Sequence, residues 1–158
     1  MTIDYRKPRA IVVTTVFVVI VVLAGAVIGL NTLPDAWYAG LAKAPWNPPN
    51  WIFGPVWLTL YVLIGIAGAR AFLRDAASSA TMIWGLQMVL NWVWSPVWFR
   101  LHQPWIAFAL IVAILVLALA FVWRSARDGD RVSAWLFVPY ALWVAFASSL
   151  NLAIAVLN

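Results

Sequence analysis

Five runs of about twenty apolar residues, separated by short polar segments, constrain this 158-residue chain more than any other feature. At a rise of ~1.5 Å per residue, each run is long enough as a helix to cross the ~30 Å hydrocarbon layer of a bilayer. They fall at about 10–30, 51–71, 80–99, 104–123 and 132–156. The acids are Asp4, Asp35, Asp75, Asp128 and Asp130; none lies inside a run, and the chain has no glutamate. Hydrophobic residues make up 66% and charged residues 9%, where soluble domains run near one half and one quarter. The predicted fold is therefore an all-α membrane protein. It is a single domain over residues 1–158, a bundle of five transmembrane helices with a long structured loop between the first two. A cleaved signal peptide has a shorter apolar core, so the first run is expected to stay in the mature protein.

Five spans put the two termini on opposite sides. Arg6, Lys7, Arg9, Arg70, Arg74, Arg124, Arg127 and Arg131 fall on the N-terminal side, the last three in a charged loop 124–131, against Lys43 and Arg100 on the other. Cytoplasmic loops hold the excess of Lys and Arg, so the N-terminus is expected in the cytoplasm and the C-terminus outside, most simply in a bacterial cell membrane. The net charge of +5 is spread singly over helix ends, which suits lipid headgroups rather than nucleic acid.

The longest connection, 31–50, leads into a stretch dense in proline and tryptophan, Lys43 to Trp57, with Pro45, Pro48, Pro49 and Pro55 among Trp46, Trp51 and Trp57. Prolines stop a helix arriving from upstream and favour a new one just beyond them. Pro34 to Leu41, with Trp37 and Tyr38, reads as a short helix whose positive end Asp35 favours. A long loop with structure of its own is usually functional, and this one is expected to roof a pocket between the helices.

Acid–base carboxylate pairs, cation-coupled transport and thiol chemistry have no residues to run on: no acid lies in a span and there is no cysteine. His102 is read as an interfacial polar residue with no nearby acid, and no metal site is expected. Aromatic and amide positions remain. Trp84, Gln87, Asn91, Ser95 and Trp98 share one helical face, as do Tyr140, Trp143, Ala147 and Asn151, and Trp57, Tyr61, Gly65 and Gly68. Amides at membrane depth must face the bundle interior, where the bland outcome is an interhelical hydrogen bond. With Trp57 and Trp143 they outline a flat apolar cavity carrying few polar groups. Gly25 and Gly29 form a G-x-x-x-G pair that marks close helix packing.

The sequence resembles the translocator protein family, also known as tryptophan-rich sensory proteins (TspO) or peripheral benzodiazepine receptors. The resemblance is carried by Pro34–Tyr38 with Leu41, Lys43–Pro49 with Trp57, Leu90–Pro96, and Pro139–Trp143 with Phe146, Ala147, Leu150 and Asn151. It implies a five-helix bundle, commonly a homodimer, that binds porphyrins such as protoporphyrin IX and haem, or other flat hydrophobic molecules. Asn91, Trp94, Tyr140, Phe146 and Ala147 match pocket-lining positions, and Trp57 and Trp143 match tryptophans tied to light-dependent porphyrin degradation. Animal sterol recognition is not implied, because residues 147–158 hold neither tyrosine nor a basic residue.

The expected ligand set is Trp37, Tyr38, Trp46, Trp57, Tyr61, Gln87, Asn91, Trp94, Ser95, Tyr140, Trp143, Phe146 and Ala147. Lys43 or Arg100 would meet the acidic tails. Porphyrin enters as ligand, no cofactor is required, and lipid is the remaining partner. A tetrapyrrole sensor or carrier is the first reading. A light-dependent porphyrin-degrading enzyme using Trp57 and Trp143 and a membrane scaffold that regulates partners are the alternatives.

Overall fold

A computed structural model describes residues 7–158; of the basic residues counted on the N-terminal side, Arg6 lies outside them. Every regular element in this range is helical. In chain order these are α1 (Pro8–Asn31), α2 (Ala36–Gly40), a 3-10 turn (Asn50–Ile52), α3 (Phe53–Arg74), α4 (Ser79–Phe99), α5 (Pro104–Arg127) and α6 (Arg131–Leu157). The long helices form a ring: α1 packs on α3, α3 on α6, α6 on α5, α5 on α4, and α4 meets α1 over a much thinner contact.

By length and hydropathy four segments qualify as membrane spans: α1, the 3-10 turn with α3, α5 and α6. The expected fifth, α4, has 21 residues, long enough for a crossing, but it is not among the four. Its inward face carries Gln87, Asn91 and Ser95, which lower its hydropathy while they serve the interior.

Two boundaries move. The second predicted helix starts as a 3-10 turn, in which the Ile52 N–H donates to the Pro49 carbonyl three residues back at 3.1 Å. The predicted charged loop 124–131 shrinks to a turn: Arg124 to Arg127 continue α5, and the Arg124 guanidinium reaches Asp128 at 3.0 Å one turn on. Gly129 makes this turn with φ +78°, a backbone glycine adopts without a Cβ clash. Trp105 and Trp123 stand exposed near the two ends of α5.

In the arginine-rich half the centre of the bundle is filled, and a smaller open pocket of about 270 Å³ remains at its end beside Arg74, Asp75, Arg124 and Asp128. Phe121 and Phe137 pack with ring centroids 4.3 Å apart, and Ile64, Ala67 and Ala118 are fully buried around them. Close helix approach depends on glycine. A Cβ on Gly65 would sit 2.7 Å from the Val18 backbone, one on Gly25 would enter the Tyr61 ring, and one on Gly68 the Trp84 indole. Gly29, the other half of the expected glycine pair, faces open space. At this end Asp130 caps α6 and takes a 2.7 Å ion pair from Arg70, joining α3 to the α5–α6 turn.

Candidate functional site

At the opposite end the helices diverge and leave a cavity of about 650 Å³. Its base is a polar chain across three helices. The Tyr61 hydroxyl donates to Asn91 Oδ1 (3.2 Å), Asn91 Nδ2 donates to the Tyr140 hydroxyl (3.1 Å), and that hydroxyl donates to Gln87 Oε1 (2.9 Å). Each link offsets the cost of an amide or phenol at membrane depth by roughly 0.6–2 kcal/mol. Both ends of the Asn91 amide are thus engaged. Tyr61 and Asn91 reach the cavity; Gln87 and Tyr140 are fully buried and do not line it.

Above this base the walls are aromatic. Trp57, one turn before Tyr61 on α3, lies 5.2 Å from its ring. Trp143 on α6 meets Phe53 edge-on at 5.8 Å, and Trp94 and Trp98 on α4 stack at 5.6 Å. All of these rings and Ala147 border one cavity. Trp94 Nε1 donates to Asn151 Oδ1 (3.3 Å), and Asn151 Nδ2 donates to the Pro104 carbonyl (3.0 Å), so this amide is also consumed. The buried Trp143 Nε1 has no hydrogen-bond partner. With the Asn91 and Asn151 amides engaged, the depth of the cavity offers ring faces and edges, and Asn47 and Asn50 are the other amides on its lining. That suits a flat apolar molecule, for which each offset or edge-on aromatic pair adds ~0.5–1.5 kcal/mol beyond burial.

The roof is the 32–50 segment, held at several points. Asp35 caps α2 by accepting from the Tyr38 N–H (3.0 Å). Its other oxygen meets His102 Nε2 at 3.1 Å, in the α4–α5 turn, and the His102 ring stacks on Trp37 at 4.2 Å. The sequence-based expectation of an isolated histidine is thus corrected: the fold brings in an acid 67 residues away in the chain. The Tyr38 hydrogen bond, aided by His102, holds the Asp35 carboxyl below the usual carboxylate range. Asn158 at the end of α6 pairs with both backbone groups of Ala42, at 3.0 and 3.1 Å, and Thr32 bonds Ser95 at 2.8 Å.

Lys43 and Arg100 serve this roof. Lys43 Nζ donates to the carbonyls of Tyr38 (2.6 Å) and Leu41 (3.1 Å). The Arg100 guanidinium holds the Asn31 carbonyl, with Nε at 2.7 Å. Neither borders the cavity.

Of the expected ligand set, Tyr38, Trp57, Tyr61, Asn91, Trp94, Ser95, Trp143 and Ala147 border the cavity. Gln87 and Tyr140 lie beneath it, Trp37 lies between His102 and Trp98, Trp46 is exposed, and Phe146 packs beside Trp143 at 5.6 Å. Sequence reasoning missed Thr32, Asn47, Asn50 and Phe53, which also border it. Only the polar character of Asn47 and Asn50 beside the prolines signalled them. No group of three or more metal-ligating side chains occurs among the described residues.

Comparison with known proteins follows the same lines. The model of the TspO/MBR family matches residues 16–157. Protein CrtK of Rhodobacter capsulatus is 36% identical over 151 residues, covering 90% of this chain and 91% of that protein. The tryptophan-rich sensory protein of Cereibacter sphaeroides is 33% identical over 128 residues, covering 81% and 80%. The human translocator protein is 37% identical over 121 residues, covering 73% and 70%.

Proposed function

The chain belongs to the TspO/MBR family, and from that premise we propose that its roofed cavity binds a porphyrin such as protoporphyrin IX or haem. The protein then acts as a tetrapyrrole sensor or carrier in a bacterial cell membrane. All five long helices cross the bilayer, the arginine-rich end is cytoplasmic and the roof is outside. One observation carries the reading: Trp57 and Trp143, from two different helices, border the same apolar cavity under one roof. Its volume of about 650 Å³ falls among drug-sized ligand sites. The lining has no histidine, methionine or cysteine, and the Tyr61 hydroxyl is engaged with Asn91; the ring is held by stacking on the aromatic walls, and free-base porphyrin binds as haem does. With Lys43 and Arg100 tied into the roof, the acidic edge rests at the headgroup level beside Asn47 and Asn50.

The test is titration of protoporphyrin IX against tryptophan fluorescence in detergent and in vesicles. Wild type shows saturable quenching. Ala147→Trp, which fills the cavity with an indole, loses at least about tenfold in affinity, or ~1.4 kcal/mol. Equal affinity in both proteins overturns the reading.

The same pair of tryptophans favours a second reading, light-dependent breakdown of the bound porphyrin, because an excited ring would lie within reach of oxidisable indoles. Loss of porphyrin absorbance under illumination with wild type, and not with Trp57→Phe/Trp143→Phe, supports it.

A further inference from the structure

We infer that the ligand enters and leaves this cavity sideways from the bilayer, through a window between the C-terminal half of α1 and the start of α3, while the roof stays closed. The inference rests on the cavity being a ligand site and adds the route and the source: a planar apolar molecule already dissolved in lipid.

Three observations converge on it. First, exposure along the lining is uneven. Trp57, Asn91, Trp94, Trp98 and Trp143 are buried or half-buried, whereas Leu30 (73%), Leu33 (63%), Trp51 (73%) and Leu58 (55%) are largely exposed although they border the same cavity. Leu30 closes α1, Trp51 lies in the 3-10 turn and Leu58 in the first turns of α3, and Leu33 is the roof residue just beyond the end of α1. Such exposure exceeds what an enclosed void would give, so the cavity continues to the outside of the ring between these two segments.

Second, glycines pave this gap. α1 and α3 meet closely lower down, at Gly65 on Val18 and Gly25 on Tyr61, and separate above. In the upper part, Gly29 on α1 and Gly54 on α3 border the cavity, and a Cβ built on either meets nothing within 4 Å. The opening is thus clear at the level where the helices part.

Third, the aqueous side is fastened. The Asp35–His102 contact, the two-way Asn158–Ala42 pair and the Thr32–Ser95 bond hold the roof to the α4–α5 turn, to α6 and to α4, and Arg100 on the Asn31 carbonyl holds the end of α1 where the roof begins. Passage through the roof requires several of these to break at once; passage through the window requires none. Asn50, at the upper edge of the lining, would let an acidic edge slide along the headgroup level while the ring stays in hydrocarbon.

The absence of cysteine from the natural chain makes the test selective and controls for folding. Gly54→Cys is reconstituted in phosphatidylcholine vesicles, reacted with a benzyl thiosulfonate reagent, and later released with dithiothreitol. Stopped-flow quenching follows protoporphyrin IX delivered from preloaded vesicles. Val116→Cys, exposed on α5 and not bordering the cavity, is treated identically as the control.

The expected result is that the adduct at residue 54 slows association and dissociation together by roughly tenfold. Dithiothreitol restores both rates, and the Val116→Cys adduct changes neither. The inference is overturned if both rates are unmoved by the adduct at residue 54. It is also overturned if dissociation speeds up while association slows, which marks a group competing inside the cavity. A third overturning result is that His102→Ala, which unfastens the roof, accelerates both rates in the protein that carries no adduct. Absence of saturable quenching in unmodified wild type instead strikes the binding reading itself, and so is distinguishable from failure of the route.

Discussion

Asp130 is 4% exposed and would be costly there without partners. Arg70 donates to one oxygen at 2.7 Å, and the Ser133 hydroxyl donates to the other at 2.7 Å. Burial pushes this carboxyl up, but the bonds from Arg70 and Ser133 outweigh it and hold it below the usual carboxylate range. A carboxyl lowered by folding stabilises the folded state above its unfolded value of about 3.9, and that contribution is lost as pH falls through the lower folded value. Asp130→Asn leaves Arg70 without its carboxylate and is expected to cost about 3 kcal/mol, read as a drop in Tm at neutral pH and a shallower acid limb. A Tm unchanged at pH 7 contradicts it. His102 carries strain of its own: its φ of +53° is costly for a side chain with a Cβ, by roughly 1–2 kcal/mol. The Asp35 contact and the Trp37 stack offset that cost. His102→Ala keeps the strain and removes both contacts, so amide exchange across 36–42 should quicken in hydrogen-exchange mass spectrometry, with the α5 and α6 cores unchanged. Equal protection in both proteins rules out the latch.

At the scale of the elements, glycine position decides helix spacing. The nearest neighbour of a Cβ on Gly65 is the Val18 backbone, which cannot rotate away. Gly65→Ala should therefore cost about 1–3 kcal/mol by overpacking α1 against α3. Gly29→Ala, with open space, should be neutral or stabilising by up to ~1 kcal/mol. Equal Tm shifts for the two would contradict the packing described. The periodicity of the sequence places Trp57, Tyr61, Gly65 and Gly68 on one face of α3. It does not say which helix lies against that face, because 3.6-residue spacing carries no information about the partner. For the same reason the glycine pair on α1 reads as a unit, although only Gly25 touches another helix. The length of α5 was hidden differently: Arg124 to Arg127 read as a loop because charge at a helix end and charge in a loop share one composition.

For the whole molecule, the spacing of apolar runs places the ends of the long helices within a few residues, although α4 falls outside the hydropathy of a membrane span, and the proline–tryptophan stretch identifies the roofed end. The fastenings of that roof were not legible, since Asp35 with His102 and Ala42 with Asn158 join positions far apart in the chain whose pairing only the closed ring dictates. The orientation proposed from the arginine distribution has a direct check in the cysteine-free chain. In intact cells a membrane-impermeant thiol reagent should label Leu101→Cys, exposed in the α4–α5 turn, and spare Ala76→Cys, exposed in the α3–α4 turn; the reverse pattern would invert the topology. The central claim is that the aromatic cavity, rather than the lipid-facing surface, holds the ligand. A structure determined with protoporphyrin IX bound tests it most directly. The account predicts ring density between Trp57 and Trp143 above Asn91, with the acidic edge toward Asn50; porphyrin density confined to the outer faces of the helices, with the cavity unchanged, would contradict it.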